Sequence, residues 1–260
     1  MFIIFTNNFP DSSDESDSIV YVDDDTDVTR AGDVTTLGTK LQRATNESAD
    51  WLSDNQMCVS GDKTKLLVAG TRELKRTRAP NLNLQVKVNN VTVSETESES
   101  LLGLTINNML TWSHHLHGES WRTDGTNKIG LISDLNKRVG LIRKLSKYLP
   151  LEQLKTVANG IYDSKLIYCL PVFGNVFNLD KYKDNQSTSR AFTKADNNKL
   201  QITQNKIMRI LSNSRYDTSL NKLLELTGYL SIQQQIAYYT IINTKKIITS
   251  RKPQYIADRL

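Results

Sequence analysis

Two adjacent carboxylates, Asp23 and Asp24, close the short apolar run Ile19-Val20-Tyr21-Val22. The β-branched and aromatic side chains of 19–22 predict a buried strand. Thr26-Asp27-Val28-Thr29 reads as its return strand, which puts Asp23 and Asp24 at a hairpin tip. Carboxylates side by side repel and resist ionising together unless cations compensate them. Mg²⁺ takes oxygen ligands and keeps positions open for substrate phosphates, so such a tip suits phosphoryl or nucleotidyl transfer. The plainer reading is a solvated acidic loop, since Asp11 to Asp27 holds eight acids in seventeen residues. The apolar run argues against it, because a disordered acidic tract has no use for Ile-Val-Tyr-Val. Asp25 and Asp27 read as hairpin acids rather than ligands.

The elements that must position this tip follow from periodicity. Leu37, Leu41, Ala44, Ser48, Trp51 and Leu52 recur at helical spacing behind an N-cap at Asp33 or Thr35. Ser60-Gly61-Asp62 reads as a turn and Thr64–Ala69 as a strand, completing a strand–helix–strand unit. Gly70 to Pro80 is basic and lacks apolar period, as an exposed loop does. Val86-Lys87-Val88 and Val91-Thr92-Val93 flank Asn89-Asn90, a pair that tolerates the positive φ of a hairpin turn. Ser94–Ser100 reads as an acidic turn and Leu101–Ile106 as a strand.

Beyond Trp112 the pattern turns helical. Ile129, Ile132, Leu135, Val139, Ile142 and Leu145 mark an amphipathic helix over Lys128–Lys147, bearing Lys128, Lys137, Arg138, Arg143 and Lys144. Leu149-Pro150 ends it, and Leu151 to about Leu170 forms a second. Asn175–Asn197 is polar and irregular. Lys199–Leu211, Ser219–Leu226 and Ile232–Ile248 predict three more helices. His114 and His117, with His115 between them, raise zinc, because i, i+3 spacing shares a helix face; no Cys, Asp or Glu cluster completes the set.

A chain of 260 residues holds one large domain or two small ones. The net charge of +5 hides an asymmetry. Residues 1–100 carry ten cations against seventeen acids, net −7, whereas 101–260 carry twenty-three against eleven, net +12. A basic half behind an acidic tip suits a nucleic-acid partner, although solvated helix faces carry such charge as well. Two cysteines make no disulfide framework, so an intracellular compartment, cytoplasmic or nuclear, is the default. The apolar start Phe2–Phe5 is shorter than a signal-peptide core and lacks a basic flank. No stretch approaches the ~20 apolar residues that span a bilayer, so no membrane partner is expected.

Tyr21-Val22-Asp23-Asp24 resembles the catalytic hairpin of reverse transcriptases. Asp62-Lys63-Thr64-Lys65-Leu66-Leu67-Val68 is similar to the Lys-Thr-Lys strand after their palm helix. Leu101-Leu102-Gly103-Leu104-Thr105-Ile106, with Leu110-Thr111-Trp112 and His115, resembles the primer-grip segment of non-LTR (LINE-type) retrotransposon polymerases. Leu149-Pro150, Tyr168 and Gln204–Leu211 fit the helical part of that family, and Phe2–Pro10 resembles the stretch before its catalytic hairpin. The resemblance covers nearly the whole chain, with five matches in order.

The resemblance implies an α+β fold: a partial palm with an antiparallel sheet and primer-grip hairpin at 1–110, thumb-like helices at 111–174, a linker at 175–198 and a helical region at 199–260. It implies Asp23 and Asp24 as catalytic metal ligands for Mg²⁺ and Lys63 as a cation beside the nucleotide phosphates. Tyr21 and Val22 would face the primer end and templating pair, and Leu102 and Gly103 would grip the primer. RNA template and DNA primer are the implied partners, with deoxynucleotides if the missing half completes the site. Asn8, Ser60 and Leu101 depart from the family pattern. The fingers, the first catalytic aspartate and the Gln-Gly loop have no counterpart, so the chain alone is expected to lack polymerase activity and to bind Mg²⁺ weakly or not at all. A non-catalytic nucleic-acid-binding fragment and an inert retroelement relic are the alternatives.

Overall fold

The computed structural model describes residues 9, 13–22, 24–70, 84–119, 128–174 and 192–258, with the backbone alone for Tyr255. The fold is mixed α+β with small sheets, in two compact units. One unit runs to Glu99 and takes in Asn107–Leu110; the other holds Ser100–Ile106 and the chain from Thr111.

In the first unit, β1 (Asp17–Tyr21) and β2 (Asp24–Val28) pair antiparallel as a ribbon of their own. Helix α1 (Val34–Asp54) starts where expected, with the Asp33 carboxylate accepting from the Thr36 amide at 2.8 Å. That bond satisfies one of the N–H groups every helix start leaves open. The three-stranded sheet has the order β3-β5-β4, from β3 (Leu66–Leu67), β4 (Gln85–Val88) and β5 (Val91–Thr96). Val34, Leu37 and Leu41 of α1 pack on Leu66, Leu84, Val86, Val88 and Val93 to make this unit's core. The β4–β5 turn has Asn89 at φ 53, the left-handed conformation that the Asn pair predicts. Gln42 seals the edge of β4: its amide donates to the Lys87 carbonyl at 2.9 Å, and the Lys87 N–H donates to Gln42 Oε1 at 2.8 Å.

The strand expected over Thr64–Ala69 shrinks to Leu66–Leu67, and it runs parallel to β5, so the sheet is not purely antiparallel. The strand expected to be buried at 19–22 is open on one side, with Ile19 58% and Tyr21 61% exposed. A lone two-stranded ribbon covers one face only, and nothing among the described residues covers the other. The acidic turn expected over Ser94–Ser100 is strand instead: β5 continues to Thr96 and β6 spans Ser98–Leu101. A turn at Leu102-Gly103 then breaks the strand expected over Leu101–Ile106, and β7 covers Leu104–Asn107. The expected basic loop lies outside the described residues beyond Gly70.

The second unit starts with α2 (Ser113–His117) and the short pair β8 (Gly118–Glu119) and β9 (Lys128–Ile129). Helices α3 (Leu131–Leu145) and α4 (Leu151–Ala158) follow, then a π-helical turn (Asn159–Asp163), α5 (Ser164–Ile167) and α6 (Leu170–Gly174). The unit finishes with α7 (Lys194–Ser212), α8 (Leu220–Thr227), α9 (Ile232–Ser250) and α10 (Gln254–Ala257). One core joins them: Leu135, Val139 and Ile142 meet Leu154, Tyr162, Leu166, Phe173, Leu200, Ile207 and Ile236. Reciprocal capping boxes, Thr193 with Asp196 and Ser231 with Gln234, set the starts of α7 and α9.

The helix expected from Lys128 begins three residues later, because Lys128 and Ile129 are taken by β9. Gly118, at φ 83, makes this possible: a Cβ there would strike the Lys128 carbonyl oxygen. The helix expected over Leu151–Leu170 is broken twice, by the π-helical turn at Asn159 and by Cys169 at φ 54. Of the expected linker, 175–191 lie outside the described residues, and α7 begins at Lys194. No described helix is long and apolar enough to cross a membrane.

Candidate functional site

The acid-bearing ribbon belongs to the first unit. Tyr21 pairs directly with Asp24, so only two residues separate the strands. Asp23 itself lies outside the described residues. Val22 sits at φ 60, a backbone conformation that a β-branched residue adopts only under strain. Strand alternation separates the acids. Asp24 shares the open face with Ile19 and Tyr21, whereas Asp25 and Asp27 share the other with Ser18 and Val20. Asp27 accepts hydrogen bonds from Ser16 at 3.3 Å, from Ser48 of α1 at 3.4 Å and from Ser18. That carboxylate therefore holds the ribbon to its helix. Asp25 keeps solvent-accessible surface, yet the atoms crowded round its carboxyl, and then the Asp27 charge, push it up to about 7. Ahead of the ribbon, Glu15 pairs with Lys40 at 2.9 Å and Arg43 at 2.6 Å, anchoring the entering chain to α1. Lys63 lies exposed in the turn before β3, with no hydrogen bond or ion pair to Asp24.

Mg²⁺ needs several oxygens converging on one point. Among the described acids of the ribbon, Asp24 and Asp17 share the open side but stand at opposite ends of it, with Asp17 paired to Arg30 at 3.0 Å, and the described residues contain no group of three His, Cys, Asp or Glu able to hold a metal ion. The described side chains do not meet the needs of that ion by themselves. The histidines likewise diverge. His117 Nε2 lies 2.7 Å from Asp196, His114 lies 4.0 Å from Glu119, and His115 Nδ1 accepts from the Thr105 amide at 3.4 Å.

The second unit carries the turn that resembles a primer grip. Leu102 at φ 47 and Gly103 at φ 80 join β6 to β7, both in the left-handed region. The Tyr168 hydroxyl donates to the Leu102 carbonyl at 2.6 Å and fixes the turn on the helical core. Gly103, Lys165 and Tyr168, with Leu102, Arg138 and Ser164, line one hollow beside it. A second hollow on the other side of Gly103 has a volume of about 230 Å³ and includes Thr105, His115, Lys128 and Lys165. Arg138 is fixed in place, donating to Asp134 at 3.0 Å and to the Ile161 carbonyl of the π-helical turn at 2.8 Å. A glycine turn flanked by three cations is suited to an anionic strand. Sequence reasoning found Leu102 and Gly103 but not this company. Lys165 and Tyr168 stand more than sixty residues away along the chain, and no spacing rule links them to the turn.

No family model matches the chain, and no curated protein and no solved structure matches it.

Proposed function

We propose that the chain is the palm-and-thumb portion of a non-LTR (LINE-type) reverse transcriptase, an RNA-directed DNA polymerase. The observation that carries this reading is the tight ribbon, in which only two residues separate the paired Tyr21 and Asp24. In this reading Asp23 and Asp24 are the catalytic carboxylates, Tyr21 and Val22 lie beside the primer end, and Lys63 neutralises nucleotide phosphate. The Leu102-Gly103 turn grips the primer: without a Cβ, Gly103 lets its backbone approach a phosphate closely. Mg²⁺ would need Asp23 and a further carboxylate besides Asp24.

Primer extension on an RNA template tests the reading. With Mg²⁺ or Mn²⁺ the chain alone is expected to add no deoxynucleotide. Fused behind the front half of a LINE-type polymerase, it is expected to extend the primer, and Asp24→Asn is expected to abolish that extension. The reading fails if the same front half works with its own rear half and stays inert with this one.

One observation favours a second reading, nucleic-acid binding without catalysis. Gly140 sits in mid-helix on the exposed side of α3 between Lys137 and Lys144, and a Cβ there would meet nothing within 4 Å. A mid-helix glycine costs roughly 1 kcal/mol against alanine, and packing gives no reason for it here. Close passage of a phosphate backbone would. Duplex binding with a steep salt slope, unchanged in Asp23→Ala and Asp24→Ala, would favour this reading.

A further inference from the structure

The hollow beside Gly103 has a polar lining that includes His115, Lys128 and Lys165. His115 is 8% exposed, and its Nδ1 accepts the Thr105 amide, which places the ring proton of the neutral form on Nε2. Among the described residues Nε2 has no hydrogen-bond partner. That N–H is not sealed off from solvent, so it is open to a ligand that enters the hollow. Lys165 lines the same hollow, half-buried, and no described carboxylate pairs with it. Lys128 also lines it, its ammonium donating to the Ser100 hydroxyl. The one described acid in the wall, Asp134, is engaged by Arg138. The wall thus offers donors and positive charge with no free acceptor among the described residues. Its volume, about 230 Å³, is many times what a single water needs.

We propose that this hollow is a phosphate-group site, in which the His115 Nε2–H and the Lys165 ammonium donate to the phosphate oxygens. A tetrahedral oxyanion suits it because the donors come from different elements, α2 and α5, rather than lying in the single plane that a carboxylate needs. Neutral imidazole is the form this geometry requires, since it keeps the Thr105 bond and still donates. Burial, with the Lys165 and Lys128 charges, holds His115 down to about 4, so the ring stays neutral at pH 7. The phosphate could belong to a nucleic-acid strand or be free in solution. The site does not depend on the polymerase reading, because it uses neither Asp23 nor Asp24.

Titration of the full chain at pH 7 with inorganic phosphate, followed by His115 imidazole resonances in NMR and by calorimetry, tests the proposal. Phosphate is expected to shift the His115 signals and raise its titration midpoint, whereas equal chloride does neither. Lys165→Ala and His115→Gln are each expected to weaken binding at least tenfold, and Lys165→Arg to retain it. Far-UV circular dichroism melts identify any variant that fails to fold. Competition by a phosphodiester oligonucleotide would assign the site to a strand, and its absence to free phosphate. The proposal is overturned if neither probe moves His115, or if folded Lys165→Ala binds as the parent does.

Discussion

Val22 is the residue whose chemistry most contradicts its conformation. A β-branched side chain at φ 60 crowds its own backbone, and glycine would not. Val22→Gly is expected to raise stability by about 1 kcal/mol, read as a shift in the denaturant midpoint with the slope unchanged. An unchanged or lowered midpoint would show the turn to be unstrained. Asp25 makes a second claim at this scale. Its folded-state value, raised to about 7 from 3.8, means that the folded chain holds this proton more tightly than the unfolded one. Its stabilising effect is complete below the lower value and is lost as pH rises through the higher one. Thermal melts from pH 4 to 8 should therefore fall less steeply in Asp25→Asn than in the parent, and parallel curves would refute this.

At the scale of elements, polar contacts explain where the helices break and meet. The Tyr229 hydroxyl donates to Asp163 at 2.7 Å, at the end of the π-helical turn, and Tyr162 meets Thr203 of α7 at 2.7 Å. Burial already raises Asp163, and the Tyr229 bond opposes that rise. Tyr229→Phe should cost roughly 1–2 kcal/mol in chemical denaturation at pH 7, because it leaves a desolvated carboxylate short of a donor. A cost near zero would mean that water replaces the hydroxyl. Helix α1 was legible from apolar period and its cap, and α7, α8 and α9 from period alone, with the first turn of α7 mistaken for linker; the β4–β5 hairpin was legible from its Asn pair. Strand β6 was not, since Ser98-Glu99-Ser100 offers no β-branched or aromatic signal. The π-helical turn was equally hidden, because the Arg138 that reaches its Ile161 carbonyl belongs to a different helix.

Across the whole molecule, the chain's charge division separates two kinds of chemistry. The acidic ribbon lies in the first unit, and the Gly103 turn with Lys128, Lys165 and Arg138 lies in the second. Sequence reasoning reached the acid pair because its chemistry is local, two letters side by side. It picked out the turn through the Leu101–Ile106 segment and not through its cations, because the cations around that turn come together only through folding. The open face of the ribbon has a further consequence. Ile19 and Tyr21 form a greasy strip beside strand edges that no other described strand pairs, the kind of surface on which crowded chains zip together out of register. Concentrated preparations should clump first through this strip, which makes it the place to graft a lysine when a well-behaved sample is needed.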